Sequence, residues 1–309
     1  MIHGIINVYK EKGYTSHDVV AKLRGIAGQK KIGHTGTLDP DATGVLPVCL
    51  GKATKVCELL TDKDKTYEAT LFLGKTTDTQ DISGEILSEK DTENLTVEEV
   101  ECAIKSFVGA YEQIPPMYSA LKVNGKKLYE LAREGKVIER KARPVVIHEI
   151  IIKEMNLPRV KMEVTCSKGT YIRTLCHDIG EKLGCGGCME TLERTKVGRF
   201  EIKDSLKLEE LQKLKEEGRL EEVMTTIDAM FYKYPAVVVR SNWDSLAKNG
   251  NPLPKKAVAV MENSDTIEKV QLSPEESDYV RLYDEEGEFI AIYRKREKDY
   301  HIVKMFYTK

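Results

Sequence analysis

The chain has 309 residues, 41% of them hydrophobic and 32% charged, with a formal net charge of −2. This is the composition of a globular protein, long enough for two domains of roughly 150 residues and able to bury a sizeable core without disulfides. No apolar run approaches the ~18–20 residues of a membrane span, and Met1 to Lys10 lacks the pattern of a secretory signal, so a cytoplasmic protein with no membrane partner is expected.

In chain order, Ser16 reads as an N-cap, with Val19, Val20, Leu23 and Ile26 following at helical spacing. Gly33 to Pro40 and Asp41 to Leu46 form a turn-rich stretch of Gly, Thr and Pro holding one notable carboxylate, Asp39, and the apolar run Val45 to Leu50 comes directly after. A charge before a buried strand is costly without a partner. An isolated Asp-Pro is more simply a turn; the density of special residues here raises a functional reading beside it.

Thr66 to Leu73 is an expected strand with Tyr67, Ala69, Leu71 and Leu73 on one face. Thr96 and Glu99 match a capping box before a helix to about Phe107, with Gly109 as the stop. Strands are expected over Val145 to Ile152 and Val160 to Cys166. Gly169 to Tyr171 then turns into a helix whose apolar face is Ile172, Leu175, Cys176, Ile179 and Leu183. Leu206 to Leu220 reads as a charged amphipathic helix. After Tyr232 to Pro235 come short strands at 236–240, 256–261, 279–283, 289–294 and 301–306, the pattern of a small all-β module. Strands and helices earlier in the chain do not alternate regularly. The expected class is therefore α+β, with a mixed, mainly antiparallel central sheet and flanking helices.

Seven scattered cysteines read as reduced thiols. Cys185 and Cys188 are the one close pair, and a zinc site wants a second. Cys166, Cys176 and His177 could join only through tertiary contact, so the pair reads as packing residues and no metal is expected. Charge is unevenly spread. Lys122, Lys126, Lys127, Arg133, Lys136, Arg140, Lys141 and Arg143 face only Glu130, Glu134 and Glu139, and the chain end is basic from Arg294 to Lys309. Nine acids against two bases lie between Asp265 and Glu288. Such runs are usually solvated faces; two basic segments also suit a polyanion.

On its residues alone, Arg173 reads as a solvated helix residue or as the partner of a buried carboxylate. Tyr67 and Tyr171 read as ordinary aromatics or as stacking surfaces for a base, and His34 as a loop histidine or as the occupant of displaced space. Walker loops, dinucleotide fingerprints, HExxH and nucleophile elbows are all missing from the sequence, which points away from nucleotide cofactors, metal hydrolysis and serine acyl transfer.

Several segments in order, Lys10 to Ser16, Gly33 to Pro47, Lys65 to Tyr67 with Gly74 to Thr79, Gln113 to Gly125 with Tyr129 to Gly135, and Gly169 to Arg173 with Leu192 to Thr195, resemble the TruB-type tRNA pseudouridine synthases over nearly the whole chain. That family isomerises the uridine at position 55 in the T-loop of tRNA. The resemblance implies Asp39 as the catalytic aspartate, Arg173 as its ion-pair partner, Tyr67 against the target base, Tyr171 and Leu192 as further pocket walls, and His34 as the residue filling the space of the flipped nucleotide. It implies an RNA-gripping insertion at about 112–145 within a catalytic domain 1–233, with Lys122, Lys126, Lys127, Arg133 and Arg143 as RNA-binding candidates. A PUA-like RNA-binding domain is expected over 234–309. The T-arm of tRNA is the expected partner and no cofactor is needed; a monomer is one option, with protein partners and oligomeric state left open. Glu11 stands where the family usually has Pro, and Glu193 where it often has a second Arg. Cys188 is a further departure. A non-catalytic RNA-binding or tRNA-folding protein on the same scaffold is the alternative; a guide-RNA-dependent relative and a glycosidase fit less well.

Overall fold

Thr15, not Ser16, caps the first helix, α1 (Ser16–Ala27). Its side chain accepts from the Asp18 N–H and the Asp18 carboxylate reaches back, closing a capping box. Ser16 is thereby released for a different contact: its buried hydroxyl accepts from the Leu38 N–H at 2.9 Å and lies 3.3 Å from the Leu38 carbonyl. Val19, Val20, Leu23 and Ala27 form the buried stripe. The computed structural model describes residues 1–123, 125–260 and 276–307. Asn124 of the insertion motif, Met261 of the strand expected at 256–261, the acidic tract from Asp265 to Glu275, and Lys309 lie outside the described residues.

Two compact units are present, one comprising Ile6–Val48 and Cys57–Leu220, the other Met1–Ile5, Cys49–Val56 and Glu221–Lys309. The second thus starts ahead of the change in pattern at Tyr232 to Pro235. The larger sheet uses β1 (Gly4–Lys10), β2 (Ile32–His34), β3 (Thr43–Leu50), β4 (Lys65–Leu73), β5 (Gly109–Gln113), β6 (Arg143–Asn156), β7 (Arg159–Cys166), β8 (Gly187–Val197) and β9 (Phe200–Glu201). Its order is β1-β3-β8-β4-β7-β6-β5, with β2 on β3 and β9 on β8. Pairing is antiparallel at β4/β7, β4/β8, β5/β6, β6/β7 and β8/β9. The β3/β8 pair is parallel, setting Thr43 opposite Glu193 and Gly44 opposite Arg194. The expected mixed, mainly antiparallel sheet is what forms.

β4 alternates strictly, burying Lys65, Tyr67, Ala69, Leu71 and Leu73. Val160, Met162, Val164 and Cys166 of β7 extend that face. Helices α2 (Val97–Lys105) and α4 (Ile172–Lys182) cover it, with the short α3 (Leu128–Arg133) between them in sequence. Ile172, Leu175, Cys176 and Ile179 of α4 enter the core. Burial of each such leucine or isoleucine contributes about 1.5–3 kcal/mol. The helix expected over 206–220 is shorter, α5 (Leu208–Glu216), and a 3-10 turn follows at Leu220–Val223.

In the second unit, β10 (Ala236–Val239), β11 (Leu253–Pro254), β12 (Val258–Val260), β13 (Tyr279–Tyr283), β14 (Phe289–Lys295) and β15 (Asp299–Met305) build a six-stranded sheet in the order β11-β15-β14-β13-β10-β12. Val237, Val239, Val280, Leu282, Ile290 and Tyr293 belong to its separate core.

Candidate active site

The Asp39 loop joins β2 to β3 and is held from several sides. The Thr35 N–H donates to the Pro47 carbonyl at 3.1 Å, Ala42 N–H to Asp39 O at 3.1 Å, and Gly13 N–H to Pro40 O at 3.0 Å. Ser16 grips Leu38 next to Asp39. The Lys10 ammonium, fully buried, donates to the carbonyls of Ala42 at 2.5 Å, Pro40 at 3.0 Å and Glu11 at 3.3 Å. Desolvation pulls Lys10 down to about 8, against an upward pull from the Asp39 charge. These contacts fix the backbone and leave the Asp39 carboxylate free to point outward, its side chain 47% exposed.

Arg173, at the start of α4, meets that carboxylate: Nη2 lies 3.1 Å from Asp39 Oδ2. The guanidinium is only 8% exposed and is shared. Nη1 reaches Asp81 Oδ2 at 3.4 Å and the Thr79 carbonyl at 3.2 Å, and Nη2 donates to the Tyr118 carbonyl at 2.9 Å. Asp81 is itself held, accepting from the Thr79 and Ser83 hydroxyls at 2.9 and 2.6 Å. The reading of Arg173 as a solvated helix residue is thereby set aside. Asp81 went unremarked in the sequence, where it lies two residues beyond the Gly74 to Thr79 motif. A usable signal was nearby in the cluster Thr77, Asp78, Thr79, Gln80 and Asp81, a turn in which Gln80 adopts φ +63°.

Tyr171 occupies the N-cap position of α4 without using its side chain as a cap. Gln113, 1% exposed at the end of β5, pins its backbone with two bonds: Nε2 donates to Tyr171 O at 3.0 Å and the Tyr171 N–H donates to Oε1 at 2.7 Å. The Tyr171 hydroxyl is pushed up by burial, with Ser119, Arg143 and Arg173 pulling down and Asp39 pushing up. Tyr67, buried on β4, is likewise raised by desolvation, lowered by Arg194 and raised by Asp39. Asp39, Arg173, Tyr67 and Tyr171 therefore converge. Leu192 pairs with Ala69, two residues along the same face from Tyr67, and packs on the core.

His34 ends β2. Its Nδ1 is buried without a hydrogen-bond partner, and desolvation, then Arg194 and His17, lower its pKa, so the ring is neutral at pH 7. Lys122, Lys126, Arg133 and Arg143 are exposed and Lys127 is half-buried. Lys122 pairs with Lys127, and Val123 with Lys126, in a hairpin beside α3. Lys127 and Arg133 both sit over the Tyr129 ring, at 5.2 and 5.5 Å. A small core of Met117, Leu128 and Leu131 supports this insertion.

Behind the Asp39 loop lies Arg194, 1% exposed. The antiparallel register sets it opposite Tyr67. Nε donates to Val45 O at 2.8 Å and Nη2 to Gly36 O at 3.0 Å, and the buried cation pulls the Tyr67 hydroxyl down against its desolvation. Gly44 allows this approach: at φ +103°, a Cβ there would lie 2.2 Å from the Arg194 carbonyl. Two of the three departures noted in the sequence are absorbed locally. Glu193 accepts from the Tyr9 hydroxyl at 2.7 Å and the Thr43 hydroxyl at 3.2 Å, and Glu11 pairs with Lys207 at 3.5 Å. Among the described residues no cluster of His, Cys, Asp or Glu has the geometry of a metal site, and no helix is long and apolar enough to cross a membrane.

The chain is similar to known proteins over nearly its whole length. The model of the TruB family pseudouridylate synthase N-terminal domain matches residues 24–172, and that of the tRNA pseudouridylate synthase B C-terminal domain matches 173–231. The tRNA pseudouridine synthase B of Lachnoclostridium phytofermentans is 53% identical over 315 residues, covering 99% of this chain and all of the relative. That of Clostridium novyi is 46% identical, covering 98% and 99%. Among solved structures, a Cbf5-Nop10-Gar1 complex superposes with a TM-score of 0.70 at 27% identity, covering 98% of this chain and 85% of its counterpart. An H/ACA RNP bound to a substrate RNA containing 2'-deoxyuridine gives 0.69 at 24% identity, covering 99% and 85%, a likeness of fold.

Proposed function

The chain belongs to the TruB family of pseudouridylate synthases, and from that premise we propose that it isomerises the uridine at position 55 in the T-loop of tRNA to pseudouridine, with Asp39 as the catalytic residue. The observation that carries this reading is the 3.1 Å pair between Arg173 and an outward-facing Asp39 carboxylate, with Tyr67 and Tyr171 within reach of its charge. The reaction exchanges a carbon–nitrogen bond to the sugar for a carbon–carbon bond to the same ring, so nothing is oxidised and no external group is needed. The target base must leave the stack, at a cost of a few kcal/mol. His34, neutral and with its buried Nδ1 free of hydrogen bonds, suits the vacated space. Tyr67, Tyr171 and Leu192 supply walls that hold the ring with few directional restraints, so that it can turn. Asp39 works at the sugar while Arg173 orients the carboxylate.

The exposed cations Lys122, Lys126, Arg133 and Arg143, with half-buried Lys127, suit phosphates of the T-arm, which position the RNA without reading its sequence. Within this reading residues 1–233 form the catalytic domain, with the gripping insertion at about 112–145, and 234–309 form a PUA-like domain for the rest of the tRNA. Asp39→Asn tests the assignment. It is expected to abolish tritium release from C5-labelled uridine in a T-arm stem-loop and to leave stem-loop binding nearly unchanged. Full activity of that variant overturns the role given to Asp39.

A further inference from the structure

Arg194 is a cation in an unusual place. It is 1% exposed, and among the described residues no carboxylate forms an ion pair with it. Two of its nitrogens are engaged by the carbonyls of Val45 and Gly36, which satisfy hydrogens but not charge. Tyr67 stands directly opposite on the neighbouring strand, and its hydroxyl and the guanidinium act on each other electrostatically. Lys65, also buried, lies on the same face of β4, and its ammonium donates to the carbonyls of Thr61 and Lys63, both at 2.6 Å. Uncompensated buried cations are expensive. Here Arg194 backs the wall against which the base is held, and the Asp39 carboxylate is already paired with Arg173.

The bond exchange supplies an anion at that wall. When C1′–N1 breaks, its electron pair stays with the ring, and the free uracil carries one negative charge. The matching positive charge on the sugar is met by the Asp39 carboxylate. When C5 bonds to C1′, the ring returns an electron pair to the sugar, and loss of the C5 proton then restores the ring. Between those steps the uracil anion has no counter-charge on the substrate. Resting on the function proposed above, we infer that Arg194 is a positioning residue for the detached uracil: acting through the Tyr67 hydroxyl, it is the counter-charge that holds the anionic ring in the pocket while it turns. A preorganised donor in a water-excluded site contributes most where charge develops, and so acts on the transition state rather than on RNA binding.

The test is single-turnover conversion of a T-arm stem-loop by the full chain at saturating enzyme, with uridine or 5-fluorouridine at the target position, read as loss of the starting nucleoside. Fluorine withdraws electrons and stabilises the detached ring unaided. Arg194→Gln is expected to lower the rate on uridine about a hundredfold while stem-loop affinity changes less than about threefold, and to lower it on 5-fluorouridine only about tenfold or less. Arg194→Lys keeps the charge, is the variant to use if the glutamine form does not fold, and is expected to lose less on both substrates with the same order between them. Deuterium at C5 is expected to slow neither variant, since proton loss follows the step affected. Equal losses on the two substrates, an unchanged rate, or a deuterium effect confined to the variants overturns the inference. A wild-type chain that forms no pseudouridine in the stem-loop overturns the proposed function instead.

Discussion

Arg173→Lys removes the fork while keeping the charge. The guanidinium serves four acceptors at once: Asp39 at 3.1 Å, Asp81 at 3.4 Å, and the carbonyls of Thr79 at 3.2 Å and Tyr118 at 2.9 Å. An ammonium on an unbranched stem cannot span them. Losing one charged hydrogen bond to a buried carbonyl costs about 1.5–3 kcal/mol. The Asp39 pair, with a half-exposed carboxylate, adds at most about 1 kcal/mol. A total of about 2–4 kcal/mol lowers the melting temperature of a domain this size by roughly 5–15 °C. The catalytic effect is separate, because Asp39 loses its orientation, and a single-turnover rate about a hundredfold lower is expected. Thermal melting monitored by circular dichroism and tritium release from the stem-loop measure the two effects. A lysine variant that melts with the wild type and turns over at its rate refutes the reasoning. One that melts early but reacts at full rate assigns Arg173 to the fold alone.

Three further outcomes are expected. Gly44→Ala at φ +103°, with its Cβ 2.2 Å from Arg194 O, should cost at least about 3 kcal/mol in urea unfolding, whereas Gly135→Ala at φ +71° in open space should cost about 1. Buried Lys65 titrates at about 8 instead of 10.5, desolvation being the main cause. Below pH 8 it is charged folded or unfolded; from 8 to 10.5 only the unfolded chain keeps the proton, so stability rises by up to about 1.4 kcal/mol per pH unit. Lys65→Met should remove that part of the slope in urea titrations, and identical slopes refute it. Lys126→Glu with Lys127→Glu should weaken stem-loop binding and reduce the salt dependence of log Kd by about one to two units, read by filter binding at several ionic strengths; an unchanged slope takes these lysines off the phosphates.

Much of this arrangement is legible in the sequence, and the gaps have physical causes. β4, α2 and α4 follow from clean periodicity and caps, and α4 begins directly after the turn ending at Tyr171. β8 is missed because its residues do not alternate: register shifts at Met189/Thr191 and Arg194/Lys196 break the period, and a buried arginine reads as polar. The β1 strand, Gly4–Lys10, is buried almost throughout and so shows no two-residue pattern. The pairing of Asp39 with Arg173 follows from motif order, but the sharing of that guanidinium with Asp81 and Tyr118 is tertiary and leaves no local trace. The cap at Thr15 rather than Ser16 turns on a one-residue difference, which frees Ser16 to grip Leu38.

The parallel contact between Gly44 and Arg194 also governs when the site can exist. It closes a loop of about 150 residues, the sequence separation of the Thr43–Glu193 bond, and closure at that range is entropically late. During synthesis the Asp39 loop emerges early, yet one of its supports is threaded only after β8 has left the ribosome. A nascent or truncated chain ending short of Arg194 therefore carries every residue of the turn that bears Asp39 and lacks the strand that braces it.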